Sequence, residues 1–366
     1  MKKLLLTSAT ALAATVAVSF AAPATHAEET TLTVVSWGGA YTASQQKAYH
    51  EPYMERNPDI EIVNEDKSAN ALAGIRAQVQ AGNVTWNVVD MLEGPAMTAC
   101  AEGIIEPIPK DILKDAPDGT PPSEDFVQLR ECFVPSIVYA TLFAYNKDAF
   151  EDGNYPSKVA DVWDTETYPG KRGLQKIPAG NLEWALAADG VPYDEVYDVL
   201  DTDEGVARAF AKLDELKDDA VWWTEGAQPP QLLADQEVSI ATGYNGRFFN
   251  AQVMEDQPFE LMWDGQLFEL DGWVVPRGQM TKEVKDYLRF ATDTQRLADQ
   301  AKYISYGPAR ASSAPKVSKH AEAGIPMKPH MPTNPENFKN PIQKNAGWWA
   351  DNGDEMAARF NAWLAR

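Results

Sequence analysis

Histidine and cysteine are both scarce in this chain of 366 residues, with four of the first and two of the second. Three histidines lie beyond the leader-like start, His50, His320 and His330. No two of them fall at metal-ligand spacing, so a His-based metal centre finds no support, and each is expected on the surface or in a loop. The motifs GxSxG, HExxH, CxxC, GxGxxG and GxxxxGK[ST] are all missing. Their absence removes the nucleophile elbow, zincin, dithiol, dinucleotide and P-loop classes, and no metal or cofactor is expected. After residue 27 no run approaches the roughly 18 uncharged apolar residues that span a bilayer. Basic residues are in deficit, 32 against 54 acidic, for a net charge of −22. Such a surface repels nucleic acid and anionic membranes, and its plain use is to keep the protein soluble.

What is present begins with MKKLLLTSATALAATVAVSFAAPATHA. Two lysines, an apolar run and a small-residue end make a secretory signal peptide, with cleavage expected after Ala27. The mature protein is then exported and soluble, with 30 basic against 54 acidic residues. In an oxidising compartment the pair Cys100 and Cys132 reads as a disulfide, whose loop closure is worth roughly 3–4 kcal/mol on the chain-entropy model. A catalytic thiol is the weaker reading, since no supporting histidine lies nearby.

Short β-type runs alternate with amphipathic helices: TLTVVSW, a helix from Thr42, IEIV at 60–63, a helix with Leu72, Ile75 and Val79 on one stripe, then WNVVDML. That order predicts an α/β fold with a mostly parallel sheet flanked by helices. The apolar run FVPSIVYATLFAY, 133–145, leads into a second α/β series: RGLQKI, a helix near 182–188, a helix with Val206, Phe210 and Leu213, then AVWW, VSIATGY and FELMWDG. A second apolar run, FELDGWVVP at 268–276, resembles the first. Two such crossings predict two lobes joined by paired strands, with a cleft between them. Helices are expected around 281–304, then a Pro-rich ordered wrap over 314–341, and a last helix with Trp349, Met356, Phe360 and Trp363 on one face.

The stretch SWGGAYTASQ marks a candidate site. Thr42 with Gln45 three residues on has the form of a capping box, which starts a helix directly after Tyr41. The corner therefore lies at the carboxyl end of the first strand, where open α/β sheets bind ligands. Its two glycines permit a sharp turn and close backbone approach, and Trp37 and Tyr41 offer flat faces with polar tips. The alternative is a tight turn with both aromatics in the core.

From the SWGG corner, WNVVDML, YNKDAF, the YPGKRG turn, GYNGR, FELDGWVVP, YISYGPAR and the closing helix, the chain resembles bacterial extracellular solute-binding proteins of the spermidine/putrescine-binding type. These are capture subunits of ABC importers. The resemblance covers the whole mature chain and implies a two-lobed type II periplasmic binding protein, each lobe a mostly parallel sheet, with a hinge of crossing strands. It implies lobe 1 at 28–141 plus 274–312 and lobe 2 at 142–273 plus 313–366, a monomer, a periplasmic location, and a permease and ATPase as partners.

Carried over residue by residue, the family's aromatic contacts match Trp37, Tyr41, Tyr244 and Tyr306, and its acid that holds an ammonium group falls on Asp271. The chain departs where Leu92-Glu93-Gly94 replaces a Ser-x-Tyr and where Glu269 replaces an aromatic. Second-lobe acids align loosely near Gly180 to Glu183, and a late glutamine falls on Gln343 or Lys344. Glu93 reads equally as a ligand contact and as a helix-start acid. Asp271 is the stronger candidate, because an acid inside an apolar strand needs a partner. Glu269 alternates onto the same side, and two carboxylates there repel unless a cation sits between them. The segment VWWTEGAQPPQLLAD adds Trp223 and Glu225, with one of Trp222 and Trp223 expected in the core. Aromatic faces with carboxylates suit a polyamine. Helix amino ends near Thr42 and Gln228, with Arg247 and Lys344, favour anions instead, so a zwitterion such as a betaine, an amino-acid derivative or an opine is the alternative. An exported two-carboxylate hydrolase is the rival from another class.

Overall fold

The computed structural model describes residues 30–150 and 153–366; the expected signal peptide lies outside the described residues. Strands β1 (Thr30–Ser36), β2 (Ile60–Asp66) and β3 (Val88–Leu92) are parallel neighbours with β1 in the middle. Strands β5 (Arg172–Gln175), β6 (Ala220–Trp223) and β7 (Ile240–Tyr244) form a second parallel group with β5 central. Between the groups run the long strands β4 (Val134–Asn146) and β8 (Phe259–Val274), antiparallel to each other, giving the order β2-β1-β3-β8-β4-β7-β5-β6. This is the two-lobed α/β arrangement with crossing strands that the sequence implies. Both crossing strands are buried along most of their length, which is why β4 reads as an apolar run rather than an alternating one.

FELMWDG and FELDGWVVP, read as separate segments, belong to the single strand β8. The pairing steps from Thr141↔Leu267 to Phe143↔Met262, so Trp263–Gln266 bulge out opposite one residue, with Gly265 at φ +64°. A glycine inside a strand marks such a bulge.

The core falls into groups on either side of the crossing. Leu32, Val34, Tyr49, Trp273, Tyr287 and Leu288 pack in one. Leu182, Val206, Leu213, Met356, Phe360 and Trp363 pack in another, so the closing helix Ala346–Leu364 lies against helices that follow β5. The Pro-rich stretch is an ordered wrap, with Val317, Met327 and Met331 buried against Phe249. Cys100 and Cys132 form a disulfide. Among the described residues, no helix is long and apolar enough to cross a membrane.

Two local expectations are overturned. The first helix starts at Gly39, three residues before Thr42, because Gly38 and Gly39 adopt φ +85° and +57° and turn the chain earlier. Thr42 therefore sits inside the helix; its Oγ1 accepts the Gly38 N–H at 2.8 Å and donates to Asp66. The capping box does not form, and Gln45 is freed for another task. His50 is buried in a helix rather than on the surface or in a loop, whereas His320, though buried, lies in a loop as expected. His50 lies 3.1 Å from Asn64 Oδ1, and burial pushes its pKa down to about 4, so it is neutral.

Candidate functional site

The carboxyl ends of the parallel strands and the middle of the crossing pair converge on one cleft. Along it runs a line of aromatic rings. Tyr41 and Tyr306 have centroids 6.0 Å apart, Tyr306 and Tyr139 6.1 Å, Tyr139 and Tyr244 6.2 Å, and Tyr244 and Trp223 6.2 Å. Trp37 packs against the first of these, with Ile137 and Ile304 beneath. The late loop that carries Tyr306 is fixed by Asn245 Nδ2, which donates to Ser305 O at 2.6 Å. A side chain at Gly246 would lie 2.8 Å from the Tyr306 ring, so that close approach requires glycine.

Trp37, Tyr41, Tyr244 and Tyr306 are thus brought together. Trp223 is not a free face: its indole is buried and donates to Thr242 Oγ1 at 3.1 Å, behind Tyr244. Trp222 packs against Phe360 and Trp363. The expectation of one core tryptophan holds: Trp223 is buried, while Trp222, on the opposite face of β6, is half-buried against the closing helix. Glu225 is exposed, its N–H held by Gln228 Oε1 at 2.8 Å.

At one end of the line lies Asp271, 4% exposed. Leu92 pairs with Asp271 and Asp90 with Trp273, so Asp90 and Asp271 are diagonal neighbours on one face of β3 and β8. Asp90 is fully buried. The donors that reach the pair are neutral: Tyr41 Oη to Asp90 Oδ2 at 3.0 Å, Gln45 Nε2 to the same oxygen, and Gly272 N to Asp271 Oδ1 at 3.0 Å. Asp90 Oδ1 and Trp37 Nε1 are buried without a protein partner. Burial first, with only partial relief from these hydrogen bonds, pushes Asp90 up to about 6. Burial and then the neighbouring Asp90 charge hold Asp271 well above the usual carboxylate range. Two neighbouring carboxyls in a dry site resist ionising together.

The other end is lined by Leu92, Glu93, Phe268, Glu269, Lys344 and Trp349 around a cavity of about 280 Å³. Here each acid already has protein partners. Glu93 accepts from Arg130 Nε at 2.7 Å. Glu269 accepts from Lys344 Nζ at 2.6 Å and from Tyr139 Oη at 2.8 Å. Burial pulls the Lys344 pKa down, but the charge and hydrogen bond of Glu269, with Glu183 and Tyr244, together raise it above its ordinary value. The cation expected between Glu269 and Asp271 is therefore supplied to Glu269 by the protein itself. Glu183 is fully buried and acts as the helix-start acid: one oxygen accepts the Gly180 N–H at 2.7 Å, the other Tyr197 Oη at 2.7 Å and Trp349 Nε1 at 2.8 Å. Arg247 is exposed, and its charge reaches both Tyr244 and Tyr306. Among the described residues it makes no salt bridge, and no group of acids, histidines and cysteines there is arranged to hold a metal ion.

Sequence reasoning missed Asp90 and Tyr139. Asp90 was legible in WNVVDML by the rule that singled out Asp271, a lone acid in an apolar strand. Tyr139 had only strand alternation with Ile137 to mark it.

The family model for bacterial extracellular solute-binding proteins matches residues 48–333. A gamma-aminobutyric acid-binding protein of Pseudomonas aeruginosa is 36% identical over 346 residues, covering 94% of this chain and 94% of the relative. Among solved structures, a GABA receptor is 28% identical with a TM-score of 0.75, covering 92% of this chain and 98% of that one. The PBP MotA from A. tumefaciens B6 in complex with glucopine is 26% identical with a TM-score of 0.73, covering 91% and 99%.

Proposed function

Because this chain belongs to the bacterial extracellular solute-binding proteins, we propose that it captures a small zwitterionic solute of the ω-amino acid kind, with γ-aminobutyrate the first to test. Substrate-binding proteins of ABC importers take up small solutes and work with a permease and an ATPase. In our reading this one does so in the periplasm, after export. The lobes run 28–141 with 274–312 and 142–273 with 313–366, and the solute shifts a hinge equilibrium by touching both at once.

One observation carries the choice of solute. Of the cleft carboxylates, Glu93 and Glu269 are already neutralised by Arg130 and Lys344, and Glu183 is spent on a helix start. That leaves the Asp90–Asp271 pair, worth one negative charge when it shares a proton, and Arg247 as an unpaired cation. One free acid against an aromatic wall takes one ammonium group, through Trp37, Tyr41 and Tyr306 faces and the Asp271 oxygens. One free cation takes one carboxylate. A polyamine needs a second free acid; Glu93 and Glu269 would each have to leave a cation behind, and Glu183 its three neutral donors.

The test is thermal melting and calorimetry of the mature protein with γ-aminobutyrate, spermidine, putrescine, a betaine and an opine. A true solute at about 100 times its Kd adds roughly 2.7 kcal/mol to stability. A response to γ-aminobutyrate or another ω-amino acid supports the proposal. A response confined to di- and polyamines reinstates Glu93 or Glu269 as ligand contacts and overturns it.

A further inference from the structure

The buried acid pair has a property that ligand capture alone does not require. A single aspartate beneath an ammonium group would serve; here a second, Asp90, sits diagonally across from it with no cation on either. We propose that Asp90 is a positioning residue acting through Asp271: when an ammonium group enters, the one proton shared by the pair settles on Asp90, and Asp271 ionises beneath the ligand. This rests on the placement of the ammonium at Asp271 proposed above.

The step balances within the pair. The O–H bond on Asp271 breaks, an O–H bond forms on Asp90, and the proton stays between them as a hydrogen bond from Asp90 to the Asp271 carboxylate. Asp90 can accept it, because Oδ2 is engaged by Tyr41 and Gln45 while Oδ1 is buried with no protein partner. No other group competes for the proton. The ionisable groups that face Asp90 are Tyr41, Tyr49 and Tyr287, and those that face Asp271 are Tyr41, Tyr139 and Tyr306. All are phenols pushed upward by burial, so they stay neutral. Of the charged neighbours, Glu269 is tied to Lys344 and Arg296 to Asp299, and the charge of Arg247 acts on Tyr244 and Tyr306.

Two consequences are measurable. Near neutral pH the pair already holds one proton, so ligand binding exchanges none with solvent. Once acid has placed a second proton on the pair, binding must expel it, and affinity falls about tenfold per pH unit. The solute is not the cause, since an ω-amino acid keeps its charges between about pH 5 and pH 7.5.

Calorimetry with γ-aminobutyrate, in buffers of different ionisation enthalpy at about pH 5 and about pH 7.5, reads both. The expected result is close to one proton released per ligand at the acid pH and close to none at the higher one. In Asp90→Asn the pair has one titrating carboxyl instead of two, so both the proton count and the pH at which affinity falls change from wild type. A wild-type proton count near zero at both pH values, with binding intact, overturns the role of Asp90 and leaves the ammonium site standing. Full wild-type pH dependence in Asp90→Asn overturns it as well. If Asp271→Asn binds as tightly as wild type, the ammonium site itself fails and takes the Asp90 role with it. Should Asp90→Asn fail to fold, the wild-type proton count alone decides.

Discussion

The two ends of the cleft are built from the same materials, carboxylates set among aromatic rings, and differ in what neutralises the acids. At the Glu93–Glu269 end, Arg130 and Lys344 stand 2.7 and 2.6 Å from their partners, and Glu183 is saturated by one backbone and two side-chain donors. At the Asp271 end, only a phenol, an amide and a backbone N–H reach two buried acids. An ion pair that is complete within the protein fixes shape, whereas a buried acid without a cation costs stability until something positive arrives. The difference separates struts from ligand sites among residues that look alike on paper.

The most direct way to break this comparison is at Asp271. Asp271→Asn keeps the shape and removes the charge, so the affinity for γ-aminobutyrate should fall by about 2–5 kcal/mol, roughly thirtyfold to several thousandfold. Calorimetry measures the loss, and circular dichroism checks that the fold is retained. Wild-type affinity in that variant would mean that the acid pair is no ligand site. Glu269→Gln tests the opposite end. It leaves the partly buried Lys344 without its acid, so the expected effect is on stability, about 1–3 kcal/mol in denaturant unfolding, with a much smaller loss of affinity than Asp271→Asn. An affinity loss that matches Asp271→Asn would erase the distinction between the two ends.

Asp90→Asn sharpens the comparison through pH. A buried acid whose folded pKa is raised favours the folded state fully below its ordinary pKa, and that advantage is lost as pH rises through the folded value, about 6 here. Wild type therefore carries a penalty at neutral pH that the Asp90→Asn variant escapes. The ligand-free variant should be more stable by about 1–2 kcal/mol at neutral pH, and the gain should vanish near pH 4. A gain that does not change with pH would point to packing rather than charge.

How much of this was legible in the sequence follows the same physics. The lobes, the crossing strands and the disulfide depend on long apolar runs, on alternation and on an even pair of cysteines, all local signals. Of the aromatic line, Trp37 and Tyr41 were visible from the turn chemistry of the corner, and Tyr244 and Tyr306 from the family resemblance. What could not be read was who neutralises whom. Arg130 is 37 residues from Glu93, and Lys344 is 75 from Glu269, and nothing in either segment announces the partner. Glu183 and Thr42 show the same limit at short range. One fulfils a helix-start role that its spacing from Gly180 allowed. The other loses that role because two glycines with positive φ moved the helix start.

The smallest expected effect lies at Glu93, and it is also the most discriminating about that end of the cleft. Glu93 is 7% exposed on its side chain, but Arg130 is 40% exposed, so solvent screens the pair and its net worth is at most about 1 kcal/mol. Glu93→Gln keeps an oxygen for Arg130 Nε to donate to, which cuts the cost further. The melting temperature should move by no more than a few degrees, and less still at high salt, where a half-exposed pair contributes little in either protein. Affinity for γ-aminobutyrate should stay within about threefold, because no ligand charge depends on an acid whose cation is built into the protein. A larger loss of affinity with unchanged melting would show that Arg130 swings away when the lobes close and that Glu93 then meets the solute. The cleft would then present two acids rather than one, and the solute would carry a second positive charge.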